Sequence, residues 1–185
     1  MQVYGLCHVR KLREVRVFSE NRQELADYQK DIEKNTPARV VVCHSPAEAM
    51  ETADIVITTT PAKQHYIHQS LVKPGMHIVA VGADMAGKNE LDPAIFRGAK
   101  IVNDSIPQCV SRGETRNAIL AGVIGESDIY GEIGQLLAGE KPLREHEDEI
   151  TIFDTTGMGI QDNVTAVMVY KIALEKGLGN DFEFI

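Results

Sequence analysis

The chain has 185 residues, of which 43% are hydrophobic and 25% charged, and its formal net charge is −8. That length suits one domain with a sizeable core, since domains hold roughly 100–200 residues. The acidic balance argues against nucleic acid and against an anionic membrane surface as partners.

Arg10, Lys11, Arg13 and Arg16 form the basic cluster, which reads as a solvated helix end. Cys7, Cys43 and Cys109 are odd in number and irregular in spacing, so they give neither a disulfide framework nor a zinc pattern. No apolar run approaches the ~18 residues of a membrane span. The N-terminus lacks the basic-then-apolar layout of a secretory signal. The expected location is the cytoplasm.

Residues 1–12 read as a helix with Val3, Leu6 and Val9 on one stripe. Residues 14–18 form a short strand, and 23–34 a helix rich in good helix formers. Thr36-Pro37 breaks that helix, and 39–43 is a continuous apolar strand. Ser45-Pro46 is an N-cap with proline at the first helical position, opening a short helix to Ala53. A strand over 54–58 ends in Thr58-Thr59-Thr60-Pro61, followed by a short helix over 64–71. Pro74-Gly75 turns the chain into a strand over 76–81, which ends in Gly82-Ala83-Asp84. A helix over 89–97 and a strand over 100–103 follow. From residue 105 the pattern turns helical, over 106–113, 114–122 and 129–138. An acidic loop at 145–149 precedes a strand over 150–153, a small-residue turn over 154–159 and a last helix over 160–176.

Strands that alternate with helices, and that read as Val/Ile runs rather than alternating patterns, are buried on both faces. The expected fold is α/β, a Rossmann-like doubly wound parallel sheet. Such a domain normally opens with a strand, a glycine-rich turn and a helix, where the backbone approaches a pyrophosphate. Here the chain starts inside the helix and contains no G-x-G-x-x-G. The sheet is therefore expected to be incomplete, lacking its first strand and glycine-rich turn. Residues 1–154 would be the partial dinucleotide-binding domain, and 155–185 a C-terminal segment and helix.

Ser19, Asn21 and Arg22 follow the first strand, where such folds meet the adenosine ribose; they suit a 2′-phosphate, while Glu20 suits the free hydroxyl of NAD. Asp84 sits at the carboxyl end of a strand, the position where open α/β sheets bind ligands, and also where a capping aspartate would sit. Lys88 lies four residues on, and Thr58 and Thr60 end a neighbouring strand. Thr155 and Thr156 lie in the turn after the last strand. His65 and His68 are three apart with no third ligand in reach along the sequence, so no metal site is expected.

Val81-Gly-Ala-Asp-Met-Ala-Gly-Lys-Asn-Glu-Leu91 resembles a segment of the ornithine cyclodeaminase and mu-crystallin family, a strand running into Gly-x-Asp-x-x-Gly-Lys-x-Glu-Leu. Phe153-Asp-Thr-Thr-Gly-Met-Gly-Ile-Gln-Asp162, the Thr58–Pro61 strand end, and Asp104-Ser-Ile-Pro-Gln108 leading to Gly113-Glu114 match in the same order. The resemblance implies NAD or NADP as cofactor and chemistry at an amino-acid α-carbon: ornithine to proline plus ammonia, imine reduction, or alanine dehydrogenation. It makes Asp84 the acid/base. Val81, Gly82, Lys88, Thr58, Thr60 and Thr155 become cofactor contacts, and Thr156 a substrate contact. It implies a small-molecule amino acid or imine as partner and a homo-oligomer, a dimer in the complete family. Family members begin with more than a hundred residues of substrate-binding and dimerisation region, so the chain is expected to be an N-terminally truncated member. The alternative is a non-catalytic remnant or binding module of the same fold.

Overall fold

The computed structural model describes residues 2–180 and 182. The described residues form seven strands and seven α-helices. Helix α1 (Gln2–Val9) leads to β1 (Glu14–Val17), α2 (Arg22–Asn35) and β2 (Arg39–Val42). Then come α3 (Pro46–Met50), β3 (Ile55–Thr58), β4 (His77–Ala80) and β5 (Lys100–Asn103). Helices α4 (Ile106–Arg112) and α5 (Glu114–Leu120) precede β6 (Ile129–Glu132), α6 (Ile133–Leu137), β7 (Thr151–Asp154) and α7 (Gly159–Glu175).

Every strand pair is parallel. β1 and β2 form one two-stranded sheet; the other five strands run in the order β3-β4-β7-β5-β6. The last strand is thus threaded into the middle, between β4 and β5. Parallel neighbours need crossovers; α2 supplies the one between β1 and β2, while β3 and β4 are joined by a segment holding a 3-10 turn. The doubly wound, incomplete α/β sheet expected from the sequence is the fold observed.

The core lies on the five-stranded sheet. Ile78, Ile101 and Ile152 come from three adjacent strands, and Phe96, Leu91, Met76 and Ala118 close over them, all buried. Local chemistry sets the helix starts. The Ser45 hydroxyl accepts the Glu48 N–H at 3.1 Å, with Pro46 in the first turn of α3. Helix α2 buries Leu25 and Ile32, seven residues apart and so on one face.

The structure corrects three expected helices. The chain over 129–138 splits into strand β6 and then α6, because Ile129 and Gly131 pair with Ile101 and Val102 of β5. The helices expected over 64–71 and 89–97 are single 3-10 turns, Gln69–Leu71 and Pro93–Phe96. Between them Ile67 pairs with Leu91 in an isolated parallel bridge, and the N–H groups of Tyr66 and Ile67 both donate to Glu90 O at 3.1 Å. A long-range partner for those amides displaces the local helical one. Elsewhere element ends move by one to a few residues.

Helix α7 buries no residue, and Ile160, Val164, Val167, Met168 and Ile172 are all exposed. No helix among the described residues is long and apolar enough to cross a membrane.

Candidate active site

The carboxyl ends of the parallel strands line up. Thr58 pairs with Ala80, Ala80 with Asp154, and Asp154 with Asn103. In open α/β sheets this edge is where ligands bind. The row is polar yet buried: Thr58 is 3%, Asp154 1% and Asn103 0% exposed. Thr58 Oγ1, Asn103 Oδ1, Asp154 Oδ1 and, just beyond, Thr156 Oγ1 are buried without a hydrogen-bond partner among the described residues. Buried polar atoms are seldom left unpaired, so four clustered at the strand ends single out this edge of the sheet.

The loops that leave this row are fixed from below by one carboxylate. Glu90 is fully buried. Its Oε1 accepts the Thr60 N–H at 2.6 Å and the Tyr66 hydroxyl at 2.9 Å; its Oε2 accepts the Gly82 N–H at 3.0 Å. A Cβ on Gly82 would collide with Thr60 O and Glu90 Oε2, so glycine is needed where the two strand ends meet. The Glu90 N–H donates in turn to buried Glu114, whose other oxygen accepts from Asn117 at 3.2 Å. Burial pushes the Glu114 carboxyl up to about 7. Asn117 Nδ2 also donates to Lys88 O at 2.8 Å, tying the 82–91 loop to α5.

Asp84 stands on the outer rim of that loop. Its side chain is 49% exposed and pairs with Lys88 Nζ at 2.5 Å. The hydrogen bond from Lys88 holds the Asp84 carboxyl below the usual carboxylate range. It is therefore an anion with open access at neutral pH.

On the far side of β7 a second buried acid organises the turn. Asp104 Oδ2 accepts from the Thr155 hydroxyl at 2.7 Å and from the N–H groups of Thr156 and Gly157 at 2.9 Å each. Asp104 thus pins the turn over 155–157. Asp154 Oδ2 accepts the Thr115 N–H at 2.8 Å, and burial raises its carboxyl to about 6.

The sequence-predicted residues fall into three groups. Thr58, Thr60, Val81, Gly82 and Thr155 come together: Val81 and Gly82 donate to Thr58 O, and Thr155 N to Ala80 O. Asp84 and Lys88 pair on the rim beside them, and Thr156 follows Thr155. Ser19, Asn21 and Arg22 lie after β1, in the separate two-stranded sheet. There the Asn21 N–H donates to Ser19 Oγ, Asn21 Nδ2 donates to Glu24, and Arg22 meets His44 at 3.0 Å. Sequence reasoning missed Glu90, Glu114, Asn117 and Asp154. The available signals were places in the matched segments: Glu90 near the end of Gly82–Leu91, Glu114 after Gly113, and Asp154 after Phe153.

The sequence profile of the ornithine cyclodeaminase/mu-crystallin family matches residues 1–177. The chain belongs to this family. An alanine dehydrogenase of Archaeoglobus fulgidus is 45% identical over 139 residues, 75% of this chain and 43% of that protein. An archaeal alanine dehydrogenase dimer with bound NAD superposes with a TM-score of 0.92 at 37% identity, over 100% of this chain and 57% of that one. The Delta(1)-pyrroline-2-carboxylate reductase of Thermococcus litoralis, in complex with NADH and L-proline, superposes with a TM-score of 0.94 at 30% identity, over 98% of this chain and 56% of that one. The chain thus spans about half the length of these cyclodeaminase-family relatives.

Proposed function

We propose that the chain is the cofactor-facing half of an NAD(P)-dependent enzyme acting at the α-carbon of a small amino acid or its imine. The observation that carries this is the row of unpartnered buried groups at the strand ends, with an exposed anionic Asp84 on its rim. The relatives solved with NAD or NADH bound, at 30% identity or more, support the same cofactor class. By the family resemblance, Thr58, Thr60, Lys88, Thr155 and the backbone at Val81–Gly82 would contact the cofactor, and Thr156 the substrate. Asp154 and Asn103 lie in the same row. The nicotinamide, when bound, accepts or returns the hydride.

This chain's own residues handle the proton and the geometry. Oxidation at an α-carbon needs a neutral amine, and Asp84 accepts the ammonium proton; in the reverse direction it returns one to the imine nitrogen. Lys88 pairs with Asp84 and keeps it ionised, and a bound anion that took up the ammonium would free the carboxylate. Loss of that partner raises the basicity of Asp84 when ligand is present. Glu90 holds the Thr60 and Gly82 loops at fixed separation, and Asp104 orients Thr155 and Thr156. Ser19, Asn21 and Arg22 would meet the adenosine ribose. Helix α7, whose apolar side chains are exposed, forms an association surface for a homo-oligomer. The three free thiols suit a cytoplasmic setting.

The test is a titration of NADH and NADPH followed by nicotinamide fluorescence. Turnover is then assayed with pyruvate plus ammonia, cyclic imines and ornithine, for wild type and Asp84→Asn. The expected result is saturable binding in both proteins and turnover in the wild type alone. Saturable binding with no turnover in either protein favours the second reading, a non-catalytic binding module. No binding of either nucleotide rejects both.

A further inference from the structure

We propose that His65, His68 and Asp92 form a binding site for a borderline divalent cation, zinc(II) foremost. The spacing of the two histidines gave half a site. The third ligand comes from 24 residues further on, brought in by the isolated bridge between Ile67 and Leu91. One ligand atom from each of the three side chains lies within 4.8 Å of the others. A tetrahedral zinc with bonds of about 2.1 Å sets its ligand atoms about 3.4 Å apart, so small side-chain rotations close the cluster.

The backbone beneath is already fixed. Ile67 and Leu91 are buried at 3% and 0% exposure. The Asp92 N–H donates to Ile67 O at 2.8 Å, and Tyr66 and Ile67 donate to Glu90 O. Asp92 is itself oriented: Oδ1 accepts the Ala94 N–H at 2.9 Å and Oδ2 the Gln69 N–H at 3.4 Å. An ionised carboxylate has about four lone-pair sites, so two accepted bonds leave capacity for a metal. Among the described residues, Asp92 takes part in no salt bridge, so no lysine or arginine competes for it. The two imidazoles stand edge to face with centroids 5.5 Å apart, a packing that leaves their ring nitrogens free to converge.

The donor set is two imidazole nitrogens and one carboxylate oxygen, with water completing the shell. That mixture suits zinc, nickel or copper; magnesium and calcium prefer all-oxygen shells. A bound ion would join the 65–71 segment to the 92–96 turn across the bridge. The site is distinct from the strand-end row, although Tyr66 between the two histidines reaches Glu90 from the same segment.

The purified chain is titrated with zinc chloride in a non-coordinating buffer against a chromophoric chelator, with thermal unfolding measured in parallel. One zinc per chain at low-micromolar affinity and a raised Tm are expected. Asp92→Asn and His68→Ala each weaken binding by at least about tenfold, while His146→Ala leaves it unchanged. Asp92→Asn retains the oxygen that caps the Pro93–Phe96 turn, so its loss of zinc is not a folding effect. Circular dichroism of each variant confirms this. Cobalt(II) gives the visible band of a four- or five-coordinate N/O site in the wild type only. The proposal is overturned by zinc binding that survives Asp92→Asn and His68→Ala, by binding that follows cysteine alkylation instead, or by no binding at tens of micromolar.

Discussion

Glu90 Oε2 accepts the backbone N–H of Gly82 at 3.0 Å, a contact that joins a fully buried carboxylate to the loop carrying Asp84. The other oxygen of the same carboxylate holds Thr60. One side chain therefore sets the spacing between the ends of β3 and β4, and the rim residues inherit their positions from it.

Replacing Glu90 by Ala leaves the N–H groups of Thr60 and Gly82 and the Tyr66 hydroxyl without their acceptor in a buried setting. Bonds to a charged group contribute about 1.5–3 kcal/mol each when made, and an unsatisfied donor costs a similar amount. A stability loss of about 3 kcal/mol or more is expected from urea unfolding. Amide hydrogen exchange at Thr60 and Gly82 accelerates under native conditions. If exchange at those two amides is unchanged, the clamp is not what orders the loops.

Gly82→Ala tests the same junction from the other side. The added methyl meets Thr60 O and Glu90 Oε2, so the backbone must move. Overpacking of this kind costs about 1–3 kcal/mol. The displacement also moves the Val81–Gly82 backbone that is proposed to face the cofactor, so nucleotide binding is expected to weaken along with stability. A fully stable Gly82→Ala protein would show that the junction is looser than its geometry.

Much of this was legible in the sequence. The Val/Ile runs at 39–42, 55–58 and 77–80 announced parallel strands, because burial on both faces leaves no polar alternation to read. The small and polar residues at the strand ends announced the candidate site. Two kinds of feature were not legible. Ile129–Glu132 runs directly into the helical residues 133–137 and reads as the start of that helix, but it becomes a strand where β5 offers it an open edge. Glu90, Glu114 and Asp92 acquire their partners from 24 or more residues away, at Glu114, Glu90 and Ile67 respectively, and no local spacing encodes those contacts.

The buried acids predict a pH dependence. Burial raises Glu114 from 4.5 to about 7, so the folded state binds its proton more tightly than the unfolded chain does. The associated stability is complete below pH 4.5 and is lost as pH rises towards 7. Glu114→Gln removes that slope. The wild-type stability minus that of the variant should fall with rising pH across this window, by on the order of 2 kcal/mol. Subtraction cancels the titration of groups that do not interact with Glu114. A flat difference from pH 4.5 to 7 would mean Glu114 titrates normally.

Lys88→Met addresses the rim. The ammonium holds Asp84 below the ordinary carboxylate range, so removing it moves the Asp84 titration to higher pH. The carboxyl carbon resonance of Asp84 reports the midpoint directly. Both residues reach solvent, so global stability should change little. An unshifted midpoint would show that the ion pair is not populated in solution.

Helix α7 gives the last test. Val164 is 63% and Met168 55% exposed, one turn apart, with Ile172 following on the same stripe at 42%. A continuous apolar stripe left in water drives association. Met168→Glu places a charge at its centre. Because Met168 is exposed and α7 buries no residue, the folding free energy should stay within about 0.5 kcal/mol of wild type. The oligomeric state read by light scattering after gel filtration should shift towards monomer. The two readouts separate an interface from a structural role. Association that persists in Met168→Glu and in Val164→Glu would assign the contact to another face.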